Sequence, residues 1–545
     1  MLRKSLVLVL LAVIARPACG QGSAPAIDLI TAAKLRADLT FLAGDGFRGR
    51  LTNTPENDLA IEWVKSRFEA FGLKPGGSAG SYFMPYNLMT ATLGGTNQLQ
   101  VSIGGGTATY AIGTDFYPHR FSASGQTTAP VVFAGFGISA SALGHDDLAG
   151  DVRGKILLVL NHEPGENDAD SPFDGLVTSE YANQLRKTLA AQDRGAAGVL
   201  FVSDVHNHPG PENLDAAARF YWPATPPRME RYMLGLWAER VRIPAAEISV
   251  ALAESMVRGS GQTLAQLGRT AEGRRVTSAP VALPSVAATM TTSVHRHVVR
   301  DRNVLAVLEG SDARLKEEYV VISSHPDHDG ADGAQIFNGA DDNGSGTVGL
   351  VAIAEAFATA ARNGQRPRRS ILFASFNSEE RGLLGAWAFA EDPLIPLDRI
   401  VAVLNMDMIG RNEEVPEGGG MRFRGLPVQT AESNANSVSI LGWSRSASLT
   451  SVIEAANASF GLTLKKSYDN NLSNLIRRSD HWPFLQHGVP GVWFHTGLHP
   501  DYHLAGDRPE KINYAKMEKI ARLVHQAGWD LANAATRPRL NGGTQ

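Results

Sequence analysis

The chain has one cysteine, Cys19, among 545 residues, so an intrachain disulfide cannot form and a disulfide-built scaffold is excluded. It also lacks an excess of either charge: 51 Lys and Arg stand against 55 Asp and Glu, a formal net charge of -4, with no long basic run. That removes the electrostatic footprint on which nucleic-acid binding depends, and no nucleic-acid partner is expected. Beyond the N-terminal segment, no apolar run is both long and uncharged enough to span a bilayer. Internal repeats and low-complexity tracts are absent. Hydrophobic residues make up 43% and charged residues 19%, the balance of a folded protein rather than a disordered one. Glycine (55) and proline (28) are plentiful, which suits a loop-rich α/β chain. The length exceeds what one compact core supports, so two or three domains are expected.

Residues 1–20 read as a secretory signal. Arg3 and Lys4 precede an apolar run from Leu6 to Ala15, and the small residues Ala18 and Gly20 place cleavage before Gln21. Export to the periplasm or the medium is therefore expected, with no stable membrane insertion after cleavage. A lipid anchor on Cys19 is disfavoured, because Arg16-Pro17-Ala18 is a poor lipobox.

Local patterns predict helices over Ala32–Leu42 and Pro55–Phe71. In the second, Thr54 is the cap, Pro55 the first helical residue, Leu59, Trp63, Val64 and Phe68 the apolar stripe, and Gly72 the stop. From Tyr82 to Pro284 short β-like runs dominate, at 99–103, 129–136, 155–160 and 198–202, with one helix over Tyr181–Arg194. From Val294 onward, apolar strands at Tyr319–Ser323, Ser370–Phe376 and Ile400–Met406 alternate with helices near Ser345–Ala361 and Leu383–Ala390. This alternation predicts an α/β fold with a doubly wound, mostly parallel sheet.

The chemistry-bearing residues follow those strands. His325, Asp327 and His328 come after the first; Asp341 and Asp342 lie in the loop Gly339–Gly346 before a helix; Glu379 and Glu380 come after Phe376; Asp407 ends the strand through Met406. Ligands bind at the carboxyl ends of strands in such sheets, so these groups are expected to meet in one cleft. Imidazole and carboxylate without thiolate suit a catalytic zinc site with open positions, and manganese or cobalt would also fit. Two ions would need a bridging carboxylate, and the inventory suffices. Ser479-Asp480-His481 is not read as a hydrolase triad, since three consecutive side chains cannot form a nucleophile-base-orienter chain and no nucleophile elbow surrounds Ser479. Tyr468, Ile476 and Trp493 are candidate pocket residues by proximity to these motifs. His162, His206, His208 and His295 lie away from the strand ends and read as structural or solvent-facing.

Val320 to His328, the Gly339–Gly346 loop, Phe376 to Gly385, Asn405-Met406-Asp407-Met408 and His499-Pro500-Asp501-Tyr502-His503 resemble the ordered motifs of the M28 family of co-catalytic zinc peptidases, mostly aminopeptidases. The resemblance extends to Phe41–Arg50. It implies a zinc-exopeptidase fold with an N-terminal part of the catalytic domain at 27–95 and its main body at 290–535. Residues 115–285 resemble an inserted protease-associated domain. The resemblance further implies two Zn²⁺ per chain, with Asp342 bridging, His325 and Asp407 completing one site, and Glu380 and His503 the other. Glu379 is then the general base toward a metal-bridging water, and Asp327 orients His325. The implied activity is zinc-dependent removal of N-terminal residues from peptides with a free N-terminus. Two alternatives stand beside it: a glutaminyl-cyclase-like amide-processing enzyme, and an inactive receptor relative. The complete ligand set argues against both. Pro326, Asn377-Ser378 and Leu504 depart from the usual family residues without removing a ligand.

Overall fold

The computed structural model describes residues 22–273, 277–420 and 423–541. The expected signal segment and the start at Gln21 lie outside the described residues. Two large sheets organise the chain. In the first, strands run in the order Met233–Leu234, Phe83–Leu93, Val294–Leu308, Ser370–Ser375, Tyr319–Ser324, Ile400–Met406, Gly491–His495, Ser437–Leu441 and Thr463–Lys465. Its centre, from Ser370–Ser375 to Gly491–His495, is parallel, and antiparallel pairs flank it on both sides. Along the central strands, Val320, Ile322, Ile371, Phe373, Ala402 and Leu404 face one core, while Val321, Leu372, Ala374 and Val403 face another. Burial on both faces explains why these strands read as continuous apolar runs.

Helices cover the first face at Ala32–Leu42, Pro55–Ala70, Gly346–Arg362 and Tyr514–Asn533, and the second at Leu384–Glu391 and His481–Gln486. Gly346–Arg362 belongs to the one helical stretch among the described residues long and apolar enough to cross a bilayer, and 89% of its most apolar window is buried inside the protein. Thr54 accepts from the Asn57 amide and Pro55 opens the second helix, as the sequence indicates. Its buried face differs from the expected stripe. Asn57, Ala60, Ile61, Val64 and Phe68 are buried, whereas Leu59 is 57% exposed and Trp63 only partly covered. The burial of Asn57 rotates the face, because its side chain exchanges hydrogen bonds with Asn377 (3.0 and 2.9 Å).

The second sheet has eight strands in the order Gly106–Tyr110, Gln98–Ile103, Val281–Thr292, Gly125–Phe133, Ile156–Leu160, Gly198–Val202, Ala245–Ile248 and Phe116–Pro118. Phe83–Leu93 and Val294–Leu308 pair antiparallel and carry the chain out to this sheet and back. Within it, Ile156–Leu160, helix Gln184–Asp193 and Gly198–Val202 form a parallel crossover unit. The helix starts at Gln184 rather than Tyr181 because Asn183 caps it, accepting from the Leu185 and Arg186 amides. The two lobes share one apolar cluster, in which Phe121 and Trp237 meet Leu383, Trp387 and Trp493. Met233–Leu234 also pairs with the edge of the first sheet.

Candidate metal centre

The parallel strands Tyr319–Ser324, Ser370–Ser375, Ile400–Met406 and Gly491–His495 all release their loops at one edge, where ligands bind in such sheets. His325, Asp342, Glu379, Glu380, Asp407 and His503 converge there. His325 Nε2 lies 3.4 Å from Asp407 Oδ1 and 3.7 Å from Asp342 Oδ1. The other Asp342 oxygen, Oδ2, is 3.0 Å from His503 Nε2, which is itself 3.5 Å from Glu380 Oε2. Asp342 thus presents one oxygen to each of two donor sets. Glu379 belongs to neither set, although its Oε2 is 3.7 Å from His325 Nε2.

These spacings suit a bound ion. Ligand atoms at zinc's usual bond lengths, arranged tetrahedrally, stand roughly 3.3 Å apart. His325 Nε2 and Asp407 Oδ1 are buried and make no hydrogen bond, a costly state unless something else satisfies them. Burial pushes the carboxyl of Glu380 up to about 7 and that of Glu379 well above the ordinary range. Burial opposes charge on His325, but Glu379 and Asp407 outweigh it and hold its pKa well above that of a free imidazole. Such a crowd of buried carboxylates and imidazoles fits divalent cations.

Each loop is shaped for its task. Gly339 has φ 55°, and a Cβ there would lie 2.2 Å from the Asp342 carbonyl and 2.4 Å from the His328 ring. Asp507 accepts from the Asp341 (3.0 and 2.9 Å) and Asp342 (3.0 Å) amides, setting the loop so that Asp342 faces the site. Asp341 turns away and accepts from the Gly410 amide at 2.6 Å. Asp327, fully buried, accepts from the Glu379 and Glu380 amides at 3.1 and 3.2 Å and stands 3.6 Å from His325 Nδ1. It holds two strand-end loops in register. Arg50, also buried, donates to the carbonyls of Pro326, Asn338, Gly339 and Leu42. This gives a physical role to the Phe41–Arg50 motif.

Further residues brace the site, and of these Asp329 and Thr52 carried no local signal. Asp329 Oδ2 sits 2.8 Å from His503 Nδ1, and its other oxygen pairs with Arg381 at 2.9 Å, so it fixes the His503 ring. His328, fully buried, bonds Glu380 Oε1 through Nδ1 at 2.7 Å. Thr52 donates to Asp327. Ser479 donates to Asp407 Oδ2 at 2.6 Å and accepts from Asn405. Neither His481 nitrogen has a hydrogen-bond partner, so Ser479-Asp480-His481 forms no nucleophilic chain. A cavity of about 240 Å³ opens on the carboxylates and is walled by Met408, Leu475, Trp493 and Leu498, with Arg478 at its side. Trp493 lines it as expected; Tyr468 and Ile476 do not, being buried in the cluster shared by the lobes.

Residues 303–528 match the family model of peptidase family M28. The probable glutamate carboxypeptidase AMP1 of Arabidopsis thaliana is 27% identical over 304 residues, covering 53% of this chain and 38% of that protein. Aminopeptidase NAALADL1 of Mus musculus is 36% identical over 127 residues, 23% of this chain and 15% of that one. The chain thus spans well under two thirds of the length of these relatives. Among solved structures, an aminopeptidase from Aneurinibacillus sp. strain AM-1 aligns over 94% of this chain and 96% of that chain, at 17% identity and a TM-score of 0.47. The stretch that matches the peptidase family M28 model, residues 303–528, carries all the converging histidines and carboxylates.

Proposed function

We propose that the protein is an exported zinc aminopeptidase that holds two metal ions and removes N-terminal residues from peptides. The observation that carries this reading is Asp342, whose two oxygens face His325 and His503 in separate donor sets, with Glu379 beside them and in neither. His325, Asp342 and Asp407 would hold one ion, and Asp342, Glu380 and His503 the other. His503 is favoured over His328 because it lines the cavity, whereas His328 is fully buried and bonded to Glu380. When bound, the ions acidify a water and polarise the scissile carbonyl.

The chain's own residues supply the rest. The Glu379 carboxylate takes the proton of the attacking water and hands it to the departing amine. Burial raises its pKa above the ordinary carboxylate range, which makes it a stronger base than an exposed carboxylate. Asp327 steadies Glu379 and Glu380 through their backbone amides, and Asp329 and Ser479 orient His503 and Asp407. Met408, Leu475 and Trp493 form an apolar wall for a substrate side chain.

Arg478 at the cavity favours a second reading, cleavage next to a C-terminal acidic residue, since a guanidinium group suits a substrate carboxylate. Assaying purified protein on aminoacyl anilides, on peptides with free or acetylated N-termini, and on N-acetylated dipeptides ending in Glu separates the two. The aminopeptidase reading expects turnover only with a free N-terminus, abolished by chelation and restored by Zn²⁺. Turnover confined to blocked substrates with a free C-terminal Glu would overturn it in favour of the second.

A further inference from the structure

Outside the central cleft, one more set of ligating side chains converges among the described residues. His162 follows the strand Ile156–Leu160 and His208 follows Gly198–Val202, two parallel neighbours of the second sheet, so both histidines lie beyond adjacent carboxyl ends. Glu166 stands between them. Its Oε2 is 3.1 Å from His162 Nδ1, its Oε1 is 2.6 Å from His208 Nε2, and the two imidazole centroids are 4.1 Å apart. Glu166 Oε1 is buried and makes no hydrogen bond despite that short approach. The two loops are tied together independently of these three residues. Glu272 accepts from the Gly165 amide at 2.8 Å and from the Asn207 side chain, while Asp204 accepts from the His206 amide and the Asn207 amide group. The cluster is therefore held in place before any ligand arrives.

We propose that His162, Glu166 and His208 form a third metal site, separate from the catalytic pair, that takes a single Zn²⁺ ion at the rim of the cleft between the lobes. Two imidazoles and one carboxylate are a borderline donor set that suits zinc, and the exposed side leaves room for water to complete the coordination. The ring atoms of His162 and His208 are about half exposed, so the ion can exchange with solvent, unlike one at the buried centre.

The site's position gives it a consequence. His162 lines a cavity of about 720 Å³ that shares Gly382, Leu383 and Arg477 with the catalytic cavity. The segment that follows His162 runs across to the catalytic lobe. Glu163 accepts from the Ser179 amide, Leu176 and Thr178 amides donate to Asn470 and Asn474, and Arg445 pairs with Asp174. Metal at Glu166 fixes the start of this strap and so steadies one wall of the route to the active site.

The proposal does not rest on the aminopeptidase reading, and its test separates the two. Full-length protein is first analysed for resident zinc, which reports the central site, and then titrated with Zn²⁺ by calorimetry after removal of loosely held metal. One further equivalent is expected in the parent and its loss in His162→Gln/His208→Gln, with resident zinc, circular dichroism and turnover of a small anilide unchanged. Zn²⁺ should also slow proteolytic cutting within residues 161–178 in the parent and not in the double variant. Absence of the further equivalent in the parent, or its persistence in the double variant, would overturn the proposal and leave Glu166 as a carboxylate bridging two imidazoles by ion pairing.

Discussion

Replacing Asp327 by asparagine keeps the size of the side chain and removes its charge, which isolates its positioning work. The carboxylate accepts from two backbone amides, Glu379 at 3.1 Å and Glu380 at 3.2 Å, and from Thr52, and it faces His325 Nδ1 at 3.6 Å. An asparagine has one acceptor oxygen, so its NH₂ must confront one of those donors. A hydrogen bond to a charged acceptor contributes about 1.5–3 kcal/mol, so the loss of one corresponds to roughly 10- to 150-fold. That agrees with the 10- to 100-fold typical of losing a carboxylate that orients a metal-bound histidine. Asp327→Asn should therefore weaken zinc binding about 10- to 100-fold, measured by competition with a chelating dye. At saturating zinc, kcat should still fall, because the Glu379 backbone has lost its anchor, while KM changes little. Zinc affinity and kcat within twofold of the parent would refute the reasoning, and complete loss of one ion would make Asp327 a ligand instead.

Arg50→Met preserves the aliphatic stem but strands four buried carbonyls, so it should lower the melting temperature by at least the equivalent of about 3 kcal/mol and weaken zinc binding, while Arg48→Met on the surface changes neither. Glu180→Gln cuts the ion pair with Arg477 (2.9 Å) that ties the strap to the catalytic lobe. It should raise KM for peptides of several residues severalfold, leave kcat on a single-residue anilide within about twofold, and be read from paired kinetics on both substrates.

The sequence carried the strand-end histidines and carboxylates because each follows an apolar run that is legible by itself. His325, Glu379 and Asp407 needed only the rule that parallel strands release their loops at one edge. Helix Ala32–Leu42 and strand Ile400–Met406 were legible to the residue, since caps and apolar runs are local. Leu59 misled because its spacing suits a stripe, and only the pairing of Asn57 with Asn377, far away in the chain, reveals which face is covered. Asp329 left no pattern, and the partners of Ser479 and Arg50 stayed hidden, for the same reason: those partners lie dozens to hundreds of residues away. His162 and His208 read as structural or solvent-facing because nothing local shows that the strands they follow, Ile156–Leu160 and Gly198–Val202, are parallel neighbours.

The central claim is that Glu379 moves a proton while its neighbour Glu380 holds metal, and paired substitutions read for both zinc and rate test it most directly. Glu379→Gln should retain both ions by elemental analysis and lose at least about 10²-fold in kcat, the lower bound for removing a general base. Glu380→Gln should lose one ion or bind it far more weakly, because an amide is a poorer ligand than a carboxylate. Loss of zinc from Glu379→Gln together with full zinc content in Glu380→Gln would reverse the two roles and contradict the account.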